Sequence, residues 1–188
     1  VAGNDLRKAR ADARQSRGYM AQKFSLYGDL SVRQNLDFFA GAYGLSGSGA
    51  KVAIERAVEI FHLGRYLKDN SGALPLGYKQ RLALACAVLH EPPVLFLDEP
   101  TSGVDPIVRR EFWTHINGLV EKGVAVLVTT HFMEEAEYCD RIALIYRARQ
   151  IATGTPDELK AKEGTADATM EDAFVALIEA SDAEQEAA

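Results

Sequence analysis

The stretch VLFLDEPTSGVD, residues 94–105, decides how this sequence folds. Its first four residues form an uninterrupted apolar run, which is typical of a strand buried on both faces of a parallel sheet. The run ends in two adjacent carboxylates, Asp98 and Glu99. Asp105 followed by Pro106 favours the start of a helix, with Asp as the N-cap and Pro in the first turn. The stretch therefore predicts a strand, a polar loop and a helix.

A second apolar strand is predicted after that helix. Gly123 is expected to end the helix, and residues 124–129 (VAVLVT) are again almost wholly apolar. Strand, helix and strand in this order predict a right-handed crossover between parallel strands. His131 then follows the second strand, at the same edge of the sheet as Asp98 and Glu99. Ligands bind at this edge of open α/β sheets, so these three side chains are candidate catalytic or metal-binding groups.

The remaining elements are predicted from capping residues and from the spacing of apolar residues. Upstream, we expect a strand at 18–22, helices at 32–43, 50–62 and 77–89, a loop at 44–49 and an irregular segment at 64–76. Downstream, we expect a short acidic helix at 133–138, a hairpin of 142–146 with 151–153, helices starting at Thr155 and Thr169, and a frayed tail at 181–188.

The composition is that of an ordinary globular chain. Of the 188 residues, 47% are hydrophobic and 26% are charged, and the formal net charge is −6. This acidic balance argues against direct nucleic-acid binding, and the mixed charges of segment 1–18 are typical of a solvated surface. Cys86 and Cys139 lack metal-ligand spacing, and Cys86 is expected in the core. Free cysteines suit the cytoplasm, and no apolar run is long enough to span a bilayer.

Several short motifs, in this order, resemble those of the ATP-binding cassette (ABC) ATPases. They are Gln22, LPLGYKQR (74–81), VLFLDEP (94–100), TSGVD (101–105) and TTH (129–131), and the resemblance extends over about residues 20–178. Four longer stretches look most like the ATPase units of drug-export transporters, namely MAQKFSLYGDLSVRQNLDFFA, TTHFMEEAEYCDRIALIY, ATGTPDEL and MEDAFVAL. The resemblance implies an incomplete P-loop NTPase-type α/β fold, with a mostly parallel sheet and a helical subdomain.

The resemblance also assigns roles to residues of this sequence. It implies that Glu99 activates water, that His131 positions this water against the γ-phosphate of ATP, and that Asp98 and Gln22 bind Mg²⁺. It implies contacts to nucleotide or to a partner by the signature segment (Leu76, Gly77, Tyr78, Lys79, Gln80) and by the D-loop, residues 101–105 (Ser102, Gly103, Asp105). Active sites of this family form between two ATPase units. A second ATPase unit and transmembrane permease subunits are therefore the implied partners, with ATP and Mg²⁺ as ligands.

Two departures from the family pattern matter for function. The signature usually reads LSGGQ, whereas Pro75 and Leu76 stand here in place of a serine and a glycine, which removes a hydroxyl and a backbone N–H. No phosphate loop of the form G-x-x-x-x-G-K-[ST] occurs in the 188 residues. In the family this loop precedes the position of Gln22, so we expect a piece of a longer protein. We also expect strand 94–97 to lack a neighbour, which would expose an apolar edge and face of the sheet.

The predicted organisation has four segments. They are a remnant of the ATPase core at 1–26, a helical subdomain at 27–90, the ATPase core at 91–164, and a C-terminal helix with an acidic tail at 165–188. The implied function is ATP hydrolysis that drives export, by an ATPase peripheral on the cytoplasmic face of the cell membrane, with the isolated chain itself inactive. Two alternatives stay open, a ribosome-associated ABC ATPase and a non-catalytic half-site that completes the active site of a partner.

Overall fold

The computed structural model describes residues 15–23, 25–162 and 168–186. The chain divides into two compact units, Val1–Thr129 and Thr130–Ala188, which are described separately below. Most of the mixed-charge segment 1–18 lies outside the described residues. Among the described helices, none combines the length and the apolar character that crossing a membrane requires. The division into four segments stays a prediction.

The first unit is built on a three-stranded parallel sheet. Its strands are β1 (Arg17–Met20), β2 (Val94–Asp98) and β3 (Ala125–Thr129), in the order β1-β2-β3. Both pairings are parallel, as the apolar runs predict, and Asp98 lies in register with Thr129. Because the strands are parallel, their carboxyl ends meet at one edge, where Gln22, Asp98 and Glu99 are located.

The prediction that strand 94–97 forms an exposed edge is wrong. β2 is the middle strand and hydrogen-bonds to both β1 and β3. Leu95 and Leu97 are consequently buried, with 0% and 1% of their surface exposed. Within the described part of the chain, β1 and β3 are the outer strands, and Tyr19 of β1 and Leu127 of β3 are 57% and 58% exposed. Sequence could not order the strands, because each apolar run is equally suited to the centre of a sheet.

Four α-helices accompany this sheet within residues 25–129. They are α1 (Val32–Ala42), α2 (Gly47–Ile60), α3 (Leu76–Val88) and α4 (Pro106–Val120), with single 3₁₀ turns at Gly64–Tyr66 and Ser71–Ala73. The predicted capping box begins α1, since the Ser31 hydroxyl accepts from the backbone N–H of Gln34 and the Gln34 side chain accepts from the N–H of Ser31. Cys86 lies in the core on α3, and burial raises the pKa of its thiol.

Helix boundaries differ slightly from the predicted ones. α2 begins at Gly47 instead of residue 50, and α3 begins at Leu76 instead of residue 77. The glycines of 44–49 favoured a loop because each costs a helix up to about 1 kcal/mol. Burial of the apolar face of α2, including Ile54 and Ala57, offsets this cost.

The second unit is an antiparallel hairpin packed against helices. Its elements are β4 (Ile142–Tyr146), β5 (Arg149–Gly154), α5 (Met133–Ala136), α6 (Pro156–Lys160) and α7 (Met170–Glu186). Leu144, Leu159 and Met170 belong to its buried core. The predicted helix starts at Thr155 and Thr169 are confirmed, because each hydroxyl accepts a backbone N–H three residues later. The predicted fraying at 181 is wrong, since α7 continues through residue 186.

Candidate functional site

The carboxyl ends of β1 and β2 bring predicted site residues together. Gln22 lies two residues after β1, Asp98 is the last residue of β2, and Glu99 follows directly. The side-chain amide of Gln22 donates a hydrogen bond from Nε2 to Oε2 of Glu99 at 2.7 Å. Two residues that are 77 positions apart in sequence therefore share one polar site.

The backbone of Glu99 is held in a left-handed conformation. Its φ is 43°, which is uncommon for a residue with a side chain. Its N–H donates to the carbonyl oxygen of Thr129 at 2.9 Å, and its own carbonyl accepts from the N–H of Ser102 at 3.1 Å. Conformations of this kind persist where surrounding contacts enforce them, and they cluster at functional sites.

Asp98 is fixed by Thr129, a residue that the sequence analysis missed. The Thr129 hydroxyl donates to Oδ1 of Asp98 at 2.6 Å. The sequence signal for it was the first threonine of the TTH motif. This residue ends β3, the strand that pairs with β2, and β2 ends at Asp98. Carboxylate and amide oxygens are ligands that Mg²⁺ accepts, so Asp98 and Gln22 fit this ion chemically. No cluster of three or more metal-ligating side chains forms among the described residues.

The D-loop is a turn that leads into α4. Gly103 has a φ of 74°, in the region that favours glycine. Oδ1 of Asp105 accepts the backbone N–H groups of Ile107 and Val108, both at 3.1 Å, so Asp105 caps α4 as predicted. Ser102 is half-buried and Gly103 is exposed. The contact of this loop with a partner stays a prediction.

The start of α3, which carries the signature segment, packs against the D-loop and α4. A Cβ atom added to Gly103 would lie 3.2 Å from Cδ2 of Leu76. A Cβ atom added to Gly77 would lie only 2.8 Å from Cγ1 of Val108. The glycine at position 77 is therefore required by the close approach of α4, which is a packing role that the sequence did not reveal.

Accessibility varies along the signature segment. Leu76 is 42% exposed, whereas Gly77, Tyr78 and Lys79 are half-buried and Gln80 is only 4% exposed. Among these five predicted nucleotide-binding residues, the structure thus leaves only Leu76 largely accessible in this chain. Nucleotide contact by the other four stays a prediction.

A cluster of arginines and tyrosines around Tyr78 was also missed. A guanidinium N–H of Arg65 donates to the Tyr78 hydroxyl at 2.7 Å, and the Tyr66 and Tyr78 ring centroids are 4.5 Å apart. Arg81 lies over the Tyr78 ring at 5.1 Å and forms an ion pair with Glu111 of α4. These contacts join residues from separate segments, so no local sequence pattern could predict them.

His131 belongs to the second unit. Its side chain is exposed, and its ring centroid is 4.1 Å from that of Phe132. The hydroxyl of Thr130 donates to the buried carboxylate of Glu135 at 2.6 Å and accepts from the N–H of Phe132 at 3.1 Å. These bonds fix the backbone on both sides of His131. The predicted approach of His131 to Glu99 stays a prediction.

Comparison with known proteins decides the family. The family profile described as "ABC transporter" matches residues 1–102, more than half of the chain. The chain belongs to the ABC transporter family. The family resemblance derived from the motifs is therefore confirmed.

Two curated relatives and one solved structure are close to this ABC transporter chain. The probable multidrug ABC transporter ATP-binding protein YbhF of Escherichia coli K12 is 61% identical over 181 residues, which cover 95% of this chain and 31% of that protein. The Nod factor export ATP-binding protein I of Burkholderia orbicola is 41% identical over 148 residues, covering 78% of this chain and 49% of that protein. A structure described as the ATP-binding subunit of an ABC transporter superposes with a TM-score of 0.82 at 30% identity, covering 95% of this chain and 75% of that one.

These comparisons also fix the fold class of this ABC transporter chain. The parallel sheet with its helices is of the P-loop NTPase-type α/β class, as predicted. The chain spans 31% of the length of the first curated relative and 49% of the second.

Proposed function

We propose that this chain is part of an ABC exporter ATPase, which hydrolyses ATP to drive transport across a membrane. The observation that carries the proposal is the 2.7 Å hydrogen bond from Gln22 to Glu99, directly beside Asp98 at the carboxyl edge of the sheet. Carboxylates at this edge suit general-base and Mg²⁺ chemistry. The names of the two relatives, a probable multidrug transporter protein and a Nod factor export protein, favour export.

In the proposed reaction Glu99 is the general base. Its carboxylate accepts a proton from the water that attacks the γ-phosphate of ATP. Gln22 already donates to this carboxylate, so it orients the base and leaves its own amide oxygen as an acceptor. His131 helps to position the water and the γ-phosphate. Asp98 and Gln22 would hold Mg²⁺, which supplies neutralisation of the charge on the phosphate oxygens when it is bound.

The proposal includes partners. The exposed Leu76 and Gly103 lie against each other, and we assign them to the face that meets a second ATPase unit and its nucleotide. The 188 residues contain no phosphate-loop motif, so ATP binding needs that element from elsewhere in the complete transporter. Permease subunits would carry the transported molecule, and the ATPase would work at the cytoplasmic face of the cell membrane.

The test is steady-state ATP hydrolysis by the full-length protein, with Mg²⁺ and then with excess EDTA. We expect hydrolysis to require Mg²⁺, and Asp98→Asn to weaken the response to Mg²⁺ by about tenfold or more. Asp37→Asn, an exposed change on α1, is the matched control and should leave the rate unchanged. Hydrolysis that is insensitive to both EDTA and Asp98→Asn would contradict the proposal.

A non-catalytic half-site is the second candidate function. It is favoured by Pro75 and Leu76, which replace the family's serine and glycine in the signature segment. The same assay separates the two candidates. If the full-length protein binds Mg-ATP but never hydrolyses it, the half-site is the better account.

A further inference from the structure

A groove between α2 and α4 lies within the first unit, away from the residues assigned to ATP hydrolysis. Its volume is about 520 Å³. This value is within the range of roughly 300–1,000 Å³ that is usual for small-molecule sites. The buried side chains of Ala57, Phe61 and Leu89 line it, together with the more exposed Ile60 and Leu119. The groove therefore offers a mostly apolar surface to a ligand.

Basic groups border this apolar surface. Lys122 lines the groove, is exposed, and makes no ion pair within the part of the chain that the structure describes. Arg56 also lines the groove, but its charge is matched by an ion pair with Glu91. A negatively charged ligand can therefore pair with Lys122 without breaking an existing ion pair.

One of the polar groups that line the groove is a neutral imidazole. His115 on α4 lines the groove, and its ring centroid is 5.0 Å from that of Phe61. Burial, with Arg81 and His62 nearby, lowers the pKa of His115, against a smaller opposite effect of Glu111. Near pH 7 this side chain is uncharged and can exchange a hydrogen bond with a polar head group.

Two strained backbone positions lie beside the apolar lining. His62 directly follows Phe61 and has a φ of 54°, and Glu91 lies two residues after Leu89 and has a φ of 50°. Both are non-glycine residues whose backbone adopts the left-handed conformation, which costs free energy. Such positions cluster at ligand clamps, and here they occur where two lining segments leave their helices.

We propose that this groove binds a small amphiphilic carboxylic acid. The apolar body lies on Phe61, Leu89 and Ile60, and the carboxylate pairs with the exposed Lys122. An amphiphilic cation is disfavoured because Lys122 repels it, whereas Arg56 and Glu91, which also line the groove, pair with each other. A bound ligand would contact both α2 and α4 and so restrain their relative movement. The proposal does not depend on the proposed ATP hydrolysis.

The first experiment titrates the full-length protein with sodium decanoate by calorimetry, below the micelle concentration. Gly118 on α4 lines the groove, and a Cβ added there meets nothing within 4 Å. Gly118→Leu therefore has room for its Cβ atom and extends its side chain into the groove, which should weaken decanoate binding by about tenfold or more. Gly41→Leu on α1 is the matched control, since Gly41 is also a helical glycine facing open space and does not line the groove. It should bind decanoate as the unchanged protein does.

The second experiment tests the head group with 1-decanol, which has the same chain without the charge. Lys122→Ala should weaken decanoate binding by about tenfold and leave decanol binding unchanged. Lys51→Ala, an exposed lysine of α2 outside the groove, should change neither. The proposal is overturned if decanoate does not bind, if Gly118→Leu binds it as the unchanged protein does, or if Lys122→Ala affects acid and alcohol equally.

Discussion

Thr129 illustrates what a single residue contributes to the candidate site. Its hydroxyl donates to Asp98 at 2.6 Å and also lies 3.3 Å from the backbone N–H of Glu99. It thereby orients one proposed metal ligand and borders the proposed general base. We expect Thr129→Val, which keeps the shape of the side chain and removes the hydroxyl, to reduce ATP turnover of the full-length protein by about tenfold.

The control for this prediction is the conservative variant. Thr129→Ser keeps a hydroxyl at this position and should retain most of the turnover rate of the unchanged protein. The Mg²⁺ concentration that gives half-maximal activity should also stay close to that of the unchanged protein. If Thr129→Val and Thr129→Ser reduce turnover equally, the hydroxyl has no positioning role.

At this scale the sequence predicted residues that follow from local patterns and missed those that depend on distant partners. Asp105 was recognised because a cap is defined by its own neighbours, and its bonds to the N–H groups two and three residues later are present. Asn35 was passed over inside an apolar helix. It is fully buried and donates to the hydroxyl of Ser71, 36 residues away.

At the scale of secondary-structure elements, the approach of α3 to α4 explains the glycine at position 77. A Cβ there would lie 2.8 Å from Val108, so Gly77→Ala forces the two helices apart. We expect it to lower the free energy of unfolding by about 1–3 kcal/mol. Gly49→Ala on α2 meets nothing within 4 Å and should instead raise it by about 0.4–1 kcal/mol. Urea denaturation measures both, and equal effects of the two variants would contradict the packing account.

Two half-buried histidines lie at contacts between secondary-structure elements and make the stability of the fold sensitive to acid. His90 stacks on Tyr43, the C-cap residue of α1, with ring centroids 3.7 Å apart, and donates from Nε2 to the Arg17 carbonyl of β1 at 3.1 Å. Burial lowers the pKa of His90, and likewise that of His115, below the ordinary 6.5. The unfolded chain therefore binds more protons as the pH falls through about 6.5, so the stability present above this pH is lost in acid.

The measurement is the thermal unfolding midpoint of the full-length protein between pH 7.5 and 5.5. We expect the midpoint to fall with pH, and to fall less in the double variant His90→Gln with His115→Gln. The exposed His131→Gln serves as the control, because His131 does not contribute to the pKa shift of either of these histidines. A double variant with the same pH dependence as the unchanged protein would rule these histidines out as the cause.

At the scale of the whole molecule, the sequence predicted the class of fold better than the arrangement of its parts. The apolar runs of β2 and β3 established a parallel sheet, because continuous apolar strands are typical of sheets covered on both faces. They could not indicate that β2 is central and that β1 and β3 are the outer strands of the described sheet, since strand order depends on contacts between distant segments. The same reason explains why the contacts of Arg65 with Tyr78 were not foreseen.

The central claim is that Glu99, oriented by Gln22, is the general base of an ATPase. The most direct test compares steady-state ATP hydrolysis and ATP binding in the full-length protein and in Glu99→Gln. The account predicts that turnover falls by about 10²–10⁴-fold while ATP binding is kept. Glu121→Gln, an exposed glutamate at the end of α4, should hydrolyse ATP normally. An unchanged rate of hydrolysis in Glu99→Gln would contradict the account.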